Sequence, residues 1–335
     1  YGTNPYISGG ILWQPIPEIG LTAAITQPLG GGTNSFDRNL KYSRIPVFSA
    51  GLNWHLNPRI ALQGQLTNGF GATPATALLT LPSDNRLGYS AKLVLTPDAA
   101  DTPQPRLSSK QRSLSLGGLT VNTALVPPNT ISTAAISADA EGNLDTSFGY
   151  SISNIFKFNF YRSSSTNVPQ DNPQARSYLN DGATNWRGSG KAVLTSPLRG
   201  APLWSALRLS FGRNINTSDN TAPGYLFVET PFTWEANSRI AININPKLAW
   251  SGSGSLWGLG ISTNIDLAPS WEIIPEANIV LNSQKESNCT LGLRWNVSEN
   301  TAIEVYGSTA SSMVDMGQLL NAEQIRWGSR LTFKL

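Results

Sequence analysis

Only 13% of the 335 residues are charged, about half the soluble share of roughly 25%. The net charge of +3 comes with no Lys/Arg cluster, which argues against a nucleic-acid surface, and the single cysteine, Cys289, excludes an intrachain disulfide. No stretch approaches the roughly 18 apolar residues of a transmembrane helix, and a mean hydropathy of −0.17 hides any membrane signal carried by every second residue.

The chain opens at Tyr1 without Met or an apolar signal region, which reads as a mature or trimmed form of an exported protein. The first alternating run lies near Tyr6–Trp13. The clearest is Phe48–Leu56, where Phe48, Ala50, Leu52, Trp54 and Leu56 share one face and Ser49, Gly51, Asn53 and His55 the other. After Asn57-Pro58-Arg59 the alternation resumes with Ile60, Leu62 and Leu66 against Ala61, Gln63, Gln65 and Thr67. Leu87, Tyr89, Ala91, Leu93 and Leu95 continue it against Arg86, Gly88, Ser90 and Lys92. Residues 97–111 form a long Pro-rich connection, and 123–143 contain Ile131–Ala138, either a strand or part of a loop. Further on, Trp257, Leu259, Ile261, Ile265 and Leu267 oppose Gly258, Gly260, Ser262, Asn264 and Asp266.

One unit recurs: an alternating run, a Trp, a tight polar turn, another alternating run. Trp54 precedes Asn57-Pro58-Arg59, Trp234 precedes Asn237-Ser238-Arg239, and Trp295 precedes Ser298-Glu299-Asn300, each at the same spacing. The runs are about 9–12 residues long, against a soluble mode of about 5–6; at a tilt near 40° such a strand spans roughly 25 Å, the apolar height of an outer-membrane barrel. Short connections at 14–18, 57–59, 236–238, 268–270 and 298–300 alternate with longer ones at 29–45, 71–85, 163–183, 214–223 and 311–323. The pattern predicts an all-β fold, a single antiparallel transmembrane β-barrel of about 16–18 strands over 1–335, with short turns at the periplasmic rim. Counting strand directions back from the C-terminus leaves the first visible strand starting outside, so the reading expects missing N-terminal residues or a preceding strand.

The last strand carries Ile325, Trp327, Leu331, Phe333 and Leu335 on one face and Arg326, Gly328, Arg330, Thr332 and Lys334 on the other. It resembles the C-terminal signal that the insertion machinery reads in bacterial outer-membrane β-barrel proteins, although those usually end in Phe or Trp rather than Leu. The resemblance is to the porin-like superfamily, with no specific family assigned. It implies a bacterial outer-membrane location, a Gram-negative envelope protein and contact with membrane lipid.

Catalytic chemistry has little to work with. His55 is the only histidine, and its nearest acid in sequence is Asp37, so neither a histidine-rich metal site nor a Ser–His–acid triad is indicated. Gly188-Ser189-Gly190-Lys191 lacks the spacing of a phosphate loop, with Asn185 and Ala192 where Gly and Ser/Thr belong. The sequons at Asn216 and Asn288 have no further support, and Cys289 shares the apolar phase of Leu291, Leu293 and Trp295. The expectation is a non-enzyme with no metal and no cofactor.

A charge facing lipid at mid-membrane costs roughly 2–4 kcal/mol, so the charges on polar strand faces are assigned to a lumen. These are Arg86, Lys92, Arg187, Lys191, Arg208, Asp266, Glu276, Arg294, Glu304, Arg326, Arg330 and Lys334. Their basic excess points to passage of small polar, anionic solutes; the equal alternative is a salt-bridge ladder that holds a plug. Trp54, Trp234, Trp271, Trp295 and Trp327 are assigned to an interfacial aromatic belt. The 163–183 segment is the candidate for an inward constriction loop. The leading functional expectation is a passive channel, with a homo-oligomer allowed. The rivals are a non-conducting scaffold or export component of a larger complex, and a glycan-binding β-sandwich.

Overall fold

The computed structural model describes residues 5–36, 39, 41–57, 60–69, 78–80, 87–96, 106–128, 130–152, 154–164, 184–214, 224–251, 254–282 and 287–335. Contacts divide the chain into two compact units, Tyr1–Thr102 and Pro103–Leu335.

The first unit holds β1 (Tyr6–Ile16), β2 (Ile19–Pro28), β3 (Ser35–Phe36), β4 (Tyr42–Ser43), β5 (Val47–Asn57), β6 (Ile60–Thr67) and β7 (Gly88–Leu95). Five of these form one antiparallel sheet in the order β1-β2-β5-β6-β7, and β3 pairs with β4. The register keeps the sequence alternation in phase across every strand. Ile19, Trp54, Leu62 and Leu93 lie in one cross-strand row, and Trp13, Leu21 and Leu52 in another. On the opposite face Gly20, Asn53, Gln63 and Lys92 align, as do Thr22, Gly51, Gln65 and Ser90. The polar face carries a cavity of about 330 Å³ whose lining includes Thr22, Asn53, Gln63, Gln65, Ser90 and Lys92. His55 lies on this face, its Nε2 at 2.9 Å from Asn53 Nδ2.

The second unit begins with a buried lead-in segment containing the short helix α1 (Ser109–Leu114). The strands follow: β8 (Ser132–Asp139), β9 (Leu144–Ile152), β10 (Phe156–Ser164), β11 (Thr184–Thr195), β12 (Trp204–Asn214), β13 (Tyr225–Glu229), β14 (Phe232–Glu235), β15 (Ile240–Ser251), β16 (Gly254–Ala268), β17 (Trp271–Val280), β18 (Asn288–Asn296), β19 (Thr301–Ala310) and β20 (Asn321–Lys334). Pro231 has no amide proton to give a ladder, and it splits one strand position into β13 and β14. Both halves pair with β12 on one side and β15 on the other. All pairings are antiparallel between sequence neighbours until β20 meets β8, from Thr133↔Lys334 to Asp139↔Gly328. That last pairing closes a twelve-stranded barrel.

The closed barrel is therefore smaller than the 16–18 strands expected. Alternation marks strands and cannot mark which strand pairs with the last one. The five long strands of the first unit have the same pattern but form their own sheet. The ambiguous Ile131–Ala138 run is a wall strand, β8, and the closing one.

The wall follows the two-residue period closely. Along β17, Glu272, Ile274, Glu276, Asn278 and Val280 are buried, while Trp271, Pro275 and Ile279 face outward. Exposed Ile244, Leu248, Ile261, Leu291, Val305 and Phe333 make the outer surface apolar. Cys289 is exposed on that surface. Closure leaves no edge in the barrel, which matters because each unpaired backbone group in hydrocarbon costs several kcal/mol. An apolar exterior on a closed antiparallel wall is the architecture of a bacterial outer-membrane β-barrel.

Outward tryptophans cluster toward both rims. Trp234, Trp271 and Trp295 adjoin the turns at 236–239, 269–270 and 297–300. Trp271 and Trp295 are register partners whose rings stack at 5.5 Å and 5°, a contact worth about 0.5–1.5 kcal/mol beyond burial. Trp250, Trp257 and Trp327 are exposed toward the opposite rim. Trp54 is exposed on the apolar face of the first-unit sheet.

Candidate functional site: the lumen and its plug

The inner wall of the barrel is organised as cross-strand rows of charge. One row runs Asp266–Glu272–Arg294–Glu304–Arg330–Ser137–Asp145 over β16 to β20 and on to β8 and β9. Opposite charges directly across a ladder attract, and here they are bonded. Arg294 donates to Glu272 at 2.9 Å and to Glu304 at 2.6 Å. Arg330 donates to Glu304 at 2.8 Å through Nη2 and also through Nε. A second row runs Lys157–Lys191–Arg208–Glu229–Lys247 over β10 to β13 and β15. It sets three cations side by side, an arrangement that is destabilising unless each finds an acceptor.

Two segments enter this lumen and provide acceptors. The first is the lead-in segment 107–126. Its helix α1 starts with a capping box, in which Ser108 Oγ accepts from Gln111 N–H and the Gln111 side chain accepts from Ser108 N–H. At the turn rim Lys110 Nζ donates to Asp266 at 2.6 Å and to Glu272 at 2.9 Å, and Gln111 donates to Glu235 at 3.0 Å. The segment then climbs to mid-barrel, where the Glu276 carboxylate accepts from the backbone N–H groups of Leu119, Thr120 and Val121 and from the Thr120 hydroxyl. There it reverses. Ala124 N–H donates to Thr233 Oγ1 at 2.8 Å, and Leu125 and Val126 pack with Val193 and Trp204 back at the turn rim. Leu114, Val121, Ala124 and Leu125 are fully buried. The segment is thus a hairpin-shaped plug that enters and leaves by one rim and leads directly into β8.

The second is the connection between β19 and β20, residues 311–320, which dips in from the other rim. Its Asp315 carboxylate accepts from Arg208 at 2.6 Å, Ser210 at 2.5 Å and Tyr225 at 2.9 Å. Met316, Leu319 and Leu320 pack with Tyr225, Phe227, Leu256 and Val280. The two intruding segments meet: Leu119 of the plug packs with Met313 and Tyr306. Lys247 ties them together, donating to Thr120 O, Asn278 at 2.7 Å and Gln318 at 2.8 Å.

Desolvation by burial would raise the Asp315 carboxyl, but the Arg208 and Arg187 guanidiniums and the Ser210 hydroxyl outweigh it and hold the group below the usual carboxylate range.

Between the plug and the β8–β9–β10 wall an open space remains, a cavity of about 100 Å³, room for several water molecules. Its walls include Thr133 and Ser137 of β8, Ser147 of β9, Lys157, Asn159 and Tyr161 of β10, Arg330 and Thr332 of β20, and Leu116, Gly118, Leu119 and Asn122 of the plug. The β10 lining from Lys157 to Tyr161 runs roughly 13 Å along the strand at about 3.3 Å per residue, or about 10 Å of wall height at a tilt near 40°.

The charges assigned to a lumen from sequence fall as follows. Arg187, Lys191, Arg208, Glu276, Arg294, Glu304 and Arg326 are buried inside the barrel, and Asp266, Arg330 and Lys334 are half-buried there. Lys191 donates to Thr123 O at 3.0 Å, Lys334 to Arg112 O at 3.2 Å, and Arg326 to Asp139 and to Ser311 O. Lys92 lies on the polar face of the first-unit sheet, and Arg86 lies outside the described residues. Most of 163–183, the proposed constriction loop, also lies outside them; the segment that folds inward is 311–320, which was expected on the outside. Sequence reading missed Lys110, Lys157, Glu229, Lys247, Glu272 and Asp315. Four of these were available from phase alone, since Lys157 alternates with Phe156 and Phe158, Glu229 with Val228, Lys247 with Leu248, and Glu272 with Trp271 and Ile273. Among the described residues no cluster of His, Cys, Asp and Glu is arranged to hold a metal ion.

No family model matches the chain, and none of the curated proteins matches it in sequence. In structure it is similar to the KdgM porin, with a TM-score of 0.45 and 6% identity over 61% of this chain and 99% of that one. It is also similar to a mutant Rh. blastica porin, with a TM-score of 0.30 and 10% identity over 98% of this chain and 89% of the other. A third likeness is to the Salmonella typhi outer membrane phospholipase, a calcium-bound dimer, with a TM-score of 0.40 and 10% identity over 69% and 98%. These likenesses are too slight to say what this barrel does; its functional reading rests on its own lumen.

Proposed function

We propose that the chain is a porin-like outer-membrane channel whose bore is narrowed by the 107–126 plug to a polar passage along β8, β9 and β10. One observation carries this reading: the plug and the 311–320 segment fill one side of a polar lumen and leave a space of about 100 Å³ on the other, lined by hydroxyl, amide and charged side chains. A barrel of about 8 strands is filled by its own side chains, and one of about 16–18 leaves an aqueous channel. Twelve strands with an inserted segment fall between, and the space left suits small polar solutes. Burial of charge in this pattern supports passage of ions rather than of apolar molecules. The Arg and Lys excess, if it governs selection, favours anions.

Reconstitution into planar bilayers tests the reading. The expected result is small, steady unit conductance, well below that of an unplugged barrel of the same size. Complete absence of conductance in protein that shows heat-modifiable mobility would overturn it.

A second reading has one specific observation behind it. The plug is held by many buried hydrogen bonds and ion pairs, which is also how a non-conducting scaffold barrel would be sealed. That reading predicts no current in the wild-type protein and current only when the plug is loosened.

A further inference from the structure

Of the four cations in the Lys157–Lys191–Arg208–Glu229–Lys247 row, three have their charges met. Lys191 reaches the plug at Thr123 O, Arg208 bonds Glu229 and Asp315, and Lys247 bonds the plug and Gln318. Lys157 is different. It lines the residual cavity, and it has no carboxylate or carbonyl acceptor among the described residues. The largest charge effects on it come from other cations: Lys191, Arg330, Lys334 and Arg208. Its stem lies across Gly149, whose missing side chain makes room for it. A Cβ at that position would fall 2.5 Å from Lys157 Cε and also collide with Asn159 Oδ1. Around the same space stand further donors, namely the Thr133 and Thr332 hydroxyls, the Asn159 amide and the Tyr161 phenol. One acid, Asp145, lines it as well.

We propose that this cavity binds a small oxyanion, a carboxylate or phosphate, on the Lys157 ammonium, and that the bound anion is the counter-charge this row lacks. The proposal rests on the channel reading for its physiological use but not for its existence. A half-buried ammonium without an acceptor is unfavourable, and an anion with several oxygens suits a lysine flanked by hydroxyl, phenol and amide donors. The plug forms the opposite wall of the cavity, so the site exists only while the plug is seated. An anion in transit would meet it between the plug and the β8–β9–β10 wall.

The experiment uses the full chain and inorganic phosphate. Calorimetric titration of phosphate into detergent-solubilised protein reads the site directly, and block of chloride current by phosphate in planar bilayers reads it in the passage. Wild-type protein is expected to bind phosphate and to show concentration-dependent block. Lys157→Gln is expected to weaken both by at least tenfold. Gly149→Ser, which keeps the lysine and crowds its stem, is expected to weaken both several-fold. Heat-modifiable mobility verifies folding of each variant; should Lys157→Gln fail to fold, Gly149→Ser decides. Phosphate binding and block that are unchanged in a folded variant overturn the site while leaving the channel standing. Phosphate binding to wild-type protein that is lost in Lys157→Gln, with no current carried by the wild type, upholds the site and overturns the channel. No phosphate binding to wild type overturns the site outright.

Discussion

At the scale of single residues, Arg294 concentrates the energetics of the lumen. It is fully buried and donates to Glu272, to Glu304 and to the plug carbonyls of Ser113 and Gly117. Removing one partner of a buried charge network costs more than the pair contributes, roughly 3–5 kcal/mol, because the other charges stay buried. Arg294→Ala is therefore expected to lower resistance to denaturant by about that much and to loosen the plug; unfolding followed by the heat-modifiable band measures it. Asp315 sets a pH dependence. Its carboxyl is held below the ordinary range in the folded state, so its contribution is complete above the unfolded value, roughly 3.9, and is lost as pH falls through the folded one. Acidification below about pH 4 is expected to release the 311–320 segment and raise unit conductance. Asp315→Asn should show the raised conductance already at neutral pH and lose the acid-induced change. Of these two residues Arg294 was legible from its strand phase, whereas Asp315 was not. It lies in a connection with no alternation, and only the approach of Arg208 and Tyr225 gives it a role.

At the scale of elements, the long strands and their turns were legible in the sequence because every wall strand obeys one rule, polar in and apolar out. The turns at 236–239, 269–270 and 297–300 and the Trp residues beside them follow from that rule. The plug breaks it. Residues 107–126 read locally as the end of a Pro-rich connection, since their burial depends on acceptors supplied by strands far along the chain. Glu276, which holds three plug amides, is more than 150 residues from them in sequence. A pattern that looks only at neighbours cannot see such an anchor. Glu276→Ala removes it while leaving the β17 backbone ladder intact. The expected outcome is more frequent or larger openings in bilayer recordings with unchanged detergent-resistant mobility; unaltered conductance would show that the plug is held elsewhere.

At the scale of the whole molecule, the outer surface fixes which environment the barrel requires. Trp234, Trp271 and Trp295 point outward near one rim, whereas Trp204 is buried and donates to Glu235 at 2.8 Å. Brominated lipids should therefore quench the fluorescence of the outward group and spare Trp204. Trp204→Phe is expected to leave the quenchable signal nearly unchanged, and the double replacement of Trp271 and Trp295 by Phe to reduce it clearly. The number of strands in the closed wall was the least legible property at this scale. Seventeen alternating runs and twelve look alike until the closing pair is known, and the β8–β20 pairing depends on the register of Thr133 with Lys334 rather than on any local signal.

The plug's path has a topological corollary. A segment that crossed the lumen from rim to rim would have to be threaded before the wall sealed, and it could leave only if a seam opened. This one goes in and comes out on the same side, like a finger bent into a ring, and its exit is tied to the first strand of the wall. Seating and withdrawal are thus permitted after the barrel has closed, with no backbone pairing of the wall broken. Assembly of the wall and occupation of its interior are separable events, and the plug is free in principle to move many times in the life of one molecule.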